Sequence, residues 1–441
     1  MANTYLNKTL GTSTNTYKGT VSVWFKKCQG YGVTDQVIYG NYTSSTQRAK
    51  LVLAGDGKLL YYQNDGGSVT IKLETSRLFR DFSAWYHVVL SVDTTQASSS
   101  DRVKLYVNGV QETAFDTATY PSQNTVFYLN ANSVTNYVGQ EGNSGAYWDG
   151  SMSHLNVVDG TAYTSSSFGS TDSTTGEWTI NISPSVTYGN NGFFILKDSN
   201  SVTDQSGNSN NWTVGGGTLT STEDCPDNNF ATLNILVRTV NGTFSQGNNT
   251  FTDASGNYNT SFSTIGMFNG QGKYYAEFKV VSGTSLIFGI ADHKSAGVIQ
   301  RTEAGENRYL GEYANSYGYQ RSGTFYYSGS STGTNYDSFT TNDIIGMAVD
   351  MDNLKIYWHK NGTYQGAADP ASNNGYTIVA PEGAYHMAIS VASSVANANF
   401  GNGVFGTTSI SSEGTNASAI GKFEYDVPTG YTALSTKGLN E

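Results

Sequence analysis

VKLYVNGVQET, residues 103–113, and LKIYWHKNGTYQG, residues 354–366, write one pattern twice: alternating apolar side chains, an Asn-Gly pair, then a short return. Both central positions of a two-residue hairpin turn need positive φ, which Asn and Gly adopt with least strain. Each stretch is therefore predicted to be a tight antiparallel hairpin. Val103, Leu105 and Val107 fall on one face of the first strand, and Leu354, Ile356 and Trp358 on one face of the second. Two such hairpins so far apart predict two sheet structures, each with its own core.

The text around the first hairpin keeps the same rhythm. TVSVWFKK, QVIYGNY, AKLVLAGDGKLLYYQND, SVTIKLE and WYHVVLSVD are short, mostly alternating segments at fairly regular spacing, the signature of an antiparallel sandwich. In WYHVVLSVD the alternation places Val88, Leu90 and Val92 toward the core, with Trp85 and His87 on the opposite face. From about residue 198, DSNSVTDQSGNSNNWTVGGGTLTSTEDC is poor in apolar residues and reads as a long connection that covers a sheet edge before a second unit. KYYAEFKVVSG, SLIFGIAD, GTFYYSG, DIIGMAVDMDNLKIYWHKNG and YHMAISVASS then resume the strand rhythm. The reading is all-β: two antiparallel β-sandwich domains in tandem, residues 1–225 and 226–441.

Composition agrees with this class. The 441 residues include 31 Tyr, 20 Phe and 50 Gly, with only 13% charged, which suits short strands and Gly-rich turns better than helices. The formal charge of −11 and the lack of any Lys/Arg run argue against nucleic acid as a partner. No segment approaches the roughly 20 apolar residues of a membrane span. The opening MANTYLNKTLGTST has neither a basic region nor an apolar stretch, so a soluble, unprocessed chain without membrane insertion is expected. Cys28 and Cys225 are the only thiols and stand in no metal-ligand spacing, so neither a disulfide framework nor a zinc site is expected.

TVSVWFKK, WYHVVLSVD and VKLYVNGVQ, in that order, resemble the laminin G-like, concanavalin A-like family. GKYYAEFKVVSG, LIFGIAD, NSYGYQRSG and NDIIGMAVDMDNLKIYWHKNGTYQG resemble the SPRY domain. NTYLNKT and the phrase DQSGNSNNW…DCPDNNFATLN are similar to virion proteins of tailed bacteriophages in which a laminin G-like unit precedes a SPRY-like one. These resemblances imply two jelly-roll sandwiches that recognise glycans or proteins. They also imply a place on the virion surface, among other virion proteins and as a homo-oligomer. No ligand residue of either family carries over.

The search for chemistry starts from the hydrolases that share the concanavalin A-like fold and set acids at alternate strand positions as Glu-x-Asp-x-x-Glu. That triple does not occur here, and a glycan hydrolase is disfavoured. His87, His154, His293, His359 and His386 stand apart in sequence, with structural or exposed roles expected and no Ser/His/Asp or metal arrangement in view. No cofactor is expected. Calcium is weighed at Asp350, Asp352 and Asp56, where turn formation explains the acids better. What remains is loop texture: EYANSYGYQRSGTFYYSGSSTGTNYDS mixes Tyr with Ser, Gly and Asn as antibody loops do, and EGNSGAYWDGS sets two aromatic rings among turn residues. The candidate binding surface is accordingly Tyr147, Trp148, Tyr313, Tyr317, Tyr319, Tyr326 and Tyr327. Together these readings describe a non-enzymatic virion protein, a tail or head fibre that holds host-surface polysaccharide or protein. The alternatives are a decoration protein that stabilises the particle and a bacterial adhesin.

Overall fold

The computed structural model describes residues 3–28, 34–142, 145–198, 201–238, 241–299 and 308–441. Residues 1–2 of the opening, 143–144 of EGNSGAYWDGS and 199–200 of the expected connection lie outside the described residues. The chain folds into two compact units, Met1–Thr220 and Ser221–Glu441, each built almost entirely of antiparallel strands. Among the described residues, no helix is long and apolar enough to cross a membrane.

In the first unit a sheet of eight strands faces one of six. The six-stranded sheet runs Phe193–Ile195, Gly150–Asp159, Lys18–Lys27, Tyr86–Asp93, Val103–Val107, Val110–Gln111. Val88, Leu90 and Val92 do point inward, where they meet Val21, Val23, Phe25, Leu105 and the opposing Tyr39 and Tyr61 in one buried cluster. A fully buried side chain such as Leu105 contributes roughly 1.5–3 kcal/mol of burial energy. The segment expected as a connection does more than link the units. Its strand Thr213–Gly216 pairs with Tyr5–Thr9 at the edge of the larger sheet, and Trp212 enters the core. Covering an edge with a short strand removes a template for unwanted pairing.

The outer face of the six-stranded sheet is also covered. Val89, Tyr106 and Val158 pack against Phe168 beneath Tyr163, Val186 and Tyr188, and a ribbon of Gly169–Thr171 with Trp178–Ile180 adds a further layer. His87, 1% exposed, is enclosed there: its ring stacks between Trp24 and Trp178, at centroid distances of 4.8 and 5.9 Å.

The second unit repeats the plan. One sheet is built on Lys273–Ser282, Ile344–Asp350 and Lys355–Lys360, the other on Ala384–Ala392, Ser285–Asp292 and Ser316–Gln320. Tyr274, Ala276, Phe278 and Val280 face the inter-sheet core, while Tyr275 faces outward into a layer formed with Phe423, Val427 and Tyr431 of the C-terminal segment. A short helix, His293–Ile299, helps to cover the other sheet through Ala296 and Ile299.

Both expected hairpins are present, and they share a detail that alternation does not reveal. Asn108 and Gly109 have φ of 45° and 83°, and Asn361 and Gly362 have 50° and 83°. Asn108 donates its backbone N–H to the carbonyl of His87, whose own N–H donates to Asn108 Oδ1 at 2.8 Å. Asn361 makes the same exchange with Ile344, whose N–H donates to Asn361 Oδ1 at 2.9 Å. The amide thus acts as one more rung between the hairpin and its neighbouring strand. Leu354 differs from expectation: it lies in a left-handed turn (φ 52°) before the strand, though it still packs against the same core as Ile356 and Trp358. Asp350 imposes this turn by accepting hydrogen bonds from the backbone N–H groups of Asp352 and Asn353 and from the Asn353 amide.

Replacing Asn108 or Asn361 with Gly keeps the positive φ but loses the side-chain rung, and Ala loses both. We expect destabilisation of about 1 kcal/mol for Gly and about 2 kcal/mol for Ala, read by urea denaturation. A Gly variant as stable as the wild type would show that the rung carries no energy, and equal losses for Gly and Ala would show that the positive φ costs nothing.

Candidate binding site

The structure separates the seven aromatic candidates. Trp148, 9% exposed, sits in the first core with its ring edge-on to Phe25 at 5.2 Å. Tyr317 and Tyr319 are fully buried. Tyr317 stacks on Tyr327 at 4.7 Å and its hydroxyl accepts the Val379 N–H, while the Tyr319 hydroxyl donates to the Asp337 carbonyl. These three therefore leave the contact surface. The cause is strand periodicity: Ser316–Gln320 and Thr324–Tyr327 pair as a hairpin, so Tyr317, Tyr319 and Phe325 all point inward. Tyr147, Tyr313, Tyr326 and Tyr327 are half-buried: in the first unit Tyr147 lies against Tyr5, and in the second Tyr313 lies beneath Arg308 and Tyr326 edge-on to Tyr309.

The histidines fall into three arrangements. Trp178 Nε1–H donates to His87 Nδ1 at 2.9 Å, so the ring proton sits on Nε2 and is donated to Ser22 Oγ. In His359, Nδ1 accepts the Gly362 N–H at 3.0 Å and Nε2–H donates to the Tyr275 hydroxyl at 2.6 Å. Burial lowers the pKa of these rings to about 3 and about 4, so both stay neutral. His154 is likewise lowered to about 4 by burial. His293 and His386 are not isolated: 93 positions apart, their Nε2 atoms lie 2.9 Å from each other, and His386 Nδ1–H donates to the Ser263 carbonyl. Among the described residues, no group of three or more His, Cys, Asp or Glu is placed to hold a metal ion. Asp56 is ion-paired to Lys58 at 2.9 Å and Asp350 to Lys273 at 3.0 Å, which together with the turn bonds at Asp350 accounts for both acids.

One row of polar groups has the composition of a proton relay: His359, Tyr275 and Glu277. The Tyr275 hydroxyl donates to Glu277 Oε1 at 3.0 Å, and the carboxyl also accepts the backbone N–H groups of Glu424 and Tyr425. All three residues are at most 1% exposed, so no substrate reaches them and the row serves to bind the C-terminal segment. Burial raises the Glu277 pKa to about 7, against the pull of those hydrogen bonds.

An accessible polar concavity does exist, elsewhere in the second unit. A cleft of about 470 Å³ is formed by turns at strand ends, with the cations Arg321 and Lys360 and the hydroxyls of Thr284, Ser322, Ser338 and Thr340. Its walls are pinned. Arg321 N–H donates to the Leu286 carbonyl, Phe339 N–H to the Arg321 carbonyl, and Thr340 N–H to Asp343 Oδ2. Lys360 Nζ donates to the Ser338 carbonyl at 2.7 Å and lies 3.5 Å from Asp343. Phe339, 2% exposed, roots the floor in the core against Phe288 and Tyr319. Arg321 lies inside one of the Tyr-rich stretches but carries no sequence signal of its own, because the residues that complete the cleft come from three other segments, at Thr284, Ser338–Thr340 and Lys360.

Two family models each match part of the chain. Residues 2–162 match the model of the concanavalin A-like lectin/glucanases superfamily, and residues 273–401 match that of the SPRY domain. The chain carries a concanavalin A-like and a SPRY jelly roll in tandem. No curated protein gives a match. Among solved structures, the SPRY domain of human HERC1 is similar at 16% identity, covering 38% of this chain and 96% of that one with a TM-score of 0.30. The TRIM65 PSpry domain is similar at 12% identity, covering 38% and 88% with a TM-score of 0.30. A heptameric SAP-like pentraxin from Limulus polyphemus is similar at 20% identity, covering 37% and 72% with a TM-score of 0.27.

The raised Glu277 pKa fixes a sign for the dependence of stability on pH. Its folded value lies above the unfolded value near 4.5, so its contribution is complete below pH 4.5 and is lost as pH rises through about 7. Glu277→Gln removes this step. Between pH 5 and pH 8 the wild type should lose roughly 2–3 kcal/mol more than the variant in urea unfolding of the full chain. Identical losses would mean that Glu277 is not protonated in the fold.

Proposed function

We propose that the chain is a non-catalytic recognition protein that holds a surface glycan or protein, and that it does so on the outside of a tailed-phage particle. The observation that carries the recognition reading is the cleft of Arg321 and Lys360: a concave, polar, hydrogen-bonded site on a rigid sandwich, where ligand binding requires little reordering. The family models support the same reading, since one describes lectins and glucanases and the other the SPRY domain. The polar row His359–Tyr275–Glu277, the arrangement nearest to a reactive set, is closed to solvent, which favours holding over cleaving. The virion placement rests on the sequence phrases shared with phage proteins and on the order of the two units.

The test uses labelled full-length protein against a panel of bacterial cells and their purified surface polysaccharides. Saturable adsorption without release of new reducing ends is expected. Release of reducing ends would replace binding by hydrolysis, and failure to adsorb to any member would end the recognition reading. Antibodies raised to the chain should decorate the outside of intact particles.

A further inference from the structure

The cleft in the second unit has a chemistry more specific than its shape. The chain as a whole carries a formal charge of −11, yet the two charged residues lining this concavity are both cations. Lys360 is partly matched by Asp343 at 3.5 Å. Arg321 is not matched in this way: among the described residues its guanidinium meets no carboxylate, and its one side-chain hydrogen bond is a long one, 3.4 Å from Nη2 to Thr340 Oγ1. Its Nε–H is buried without an acceptor. A guanidinium presents paired donors in a rigid fork that matches carboxylate or sulfate oxygens, and the Nη groups of Arg321, which carry only the one long bond, are the donors an anion in the cleft would meet.

The rest of the lining narrows the ligand further. Thr284, Ser322, Ser338 and Thr340 bring hydroxyls that can both donate and accept, which suits a ligand dense in hydroxyl groups. The one aromatic ring, Phe339, is turned into the core, so the cleft offers neither a platform for stacking a neutral sugar nor a pocket for an apolar peptide anchor. The volume of about 470 Å³ lies within the range of about 300–1,000 Å³ typical of small-ligand sites.

We infer that this cleft binds an acidic sugar, with the Arg321 fork on its carboxylate or sulfate group, Lys360 adding charge, and the four hydroxyl residues holding the ring hydroxyls. The inference rests on the recognition reading above and adds the ligand class. A site of this kind weakens as salt rises, because both cations sit near solvent.

Calorimetric titration of the full chain tests it, with a hyaluronan tetrasaccharide as the carboxylate probe, a chondroitin sulfate tetrasaccharide as the sulfate probe, maltotetraose as the neutral control and inorganic sulfate as the bare anion. At least one acidic tetrasaccharide should bind tenfold or more tighter than maltotetraose and than inorganic sulfate. Arg321→Ala should weaken that binding at least tenfold and Lys360→Ala about threefold. Ser322→Trp, which fills the cleft from an exposed position, should abolish binding and supplies the readout if Arg321→Ala fails to fold. Equal affinity for the neutral sugar or for sulfate alone, or unchanged binding in the Ser322→Trp variant, overturns the inference. If the Ser322→Trp variant still adsorbs to cells as the wild type does, the cleft is excluded while recognition stands. If the wild type binds neither tetrasaccharide nor cells, both fall.

Discussion

Each of these sandwiches has to close more than one interface. Ordinary antiparallel sheets bury one face and leave the other in water, but here sheets of both units bury their outer faces too, under Phe168 and the Trp178 ribbon in the first unit and under the C-terminal segment and the short helix in the second. Polar residues that alternation sends outward therefore arrive in a dry layer and must find partners there. His87 finds Ser22 and Trp178, and Glu277 finds Tyr275 and the backbone of residues 424 and 425. Irregular stretches of the chain thus form an outer roof over the six-stranded sheet of the first unit and over both main sheets of the second.

The same constraint explains where a ligand can enter. Outer faces that are roofed over offer no platform, and access shifts to the turns at strand ends. Thr284, Arg321, Lys360 and the Ser338–Thr340 segment all belong to such turns or strand ends. Backbone hydrogen bonds from Arg321 to Leu286, from Phe339 to Arg321 and from Thr340 to the Asp343 carboxylate hold the turns that carry the polar side chains.

How much of this can be read in the chain depends on the range of the interactions. The hairpins, the inward faces of Tyr86–Asp93 and Val103–Val107, and the tandem arrangement follow from local periodicity and turn chemistry, and they are legible. Tyr317 and Tyr319 were equally legible in principle: their spacing of two is a strand signal, and it outweighs the loop-like company of Ser, Gly and Asn around them. Trp148 follows a Tyr in a turn-rich stretch, and only the opposing Phe25 reveals that it is buried. The cleft and the His293–His386 pair are set by contacts between residues far apart in the chain, which no single segment encodes.

The asparagine rungs have a consequence for the molecule at work. Asn361 follows Lys360 directly and ties the tip of its hairpin to Ile344, adding a rung to the register of these strands, while the ammonium group itself is held by the Ser338 carbonyl. A visitor to this end of the second sandwich meets a surface already set in its final shape. On the reading proposed above, discrimination there would work by rejecting what does not fit, in the manner of a gauge.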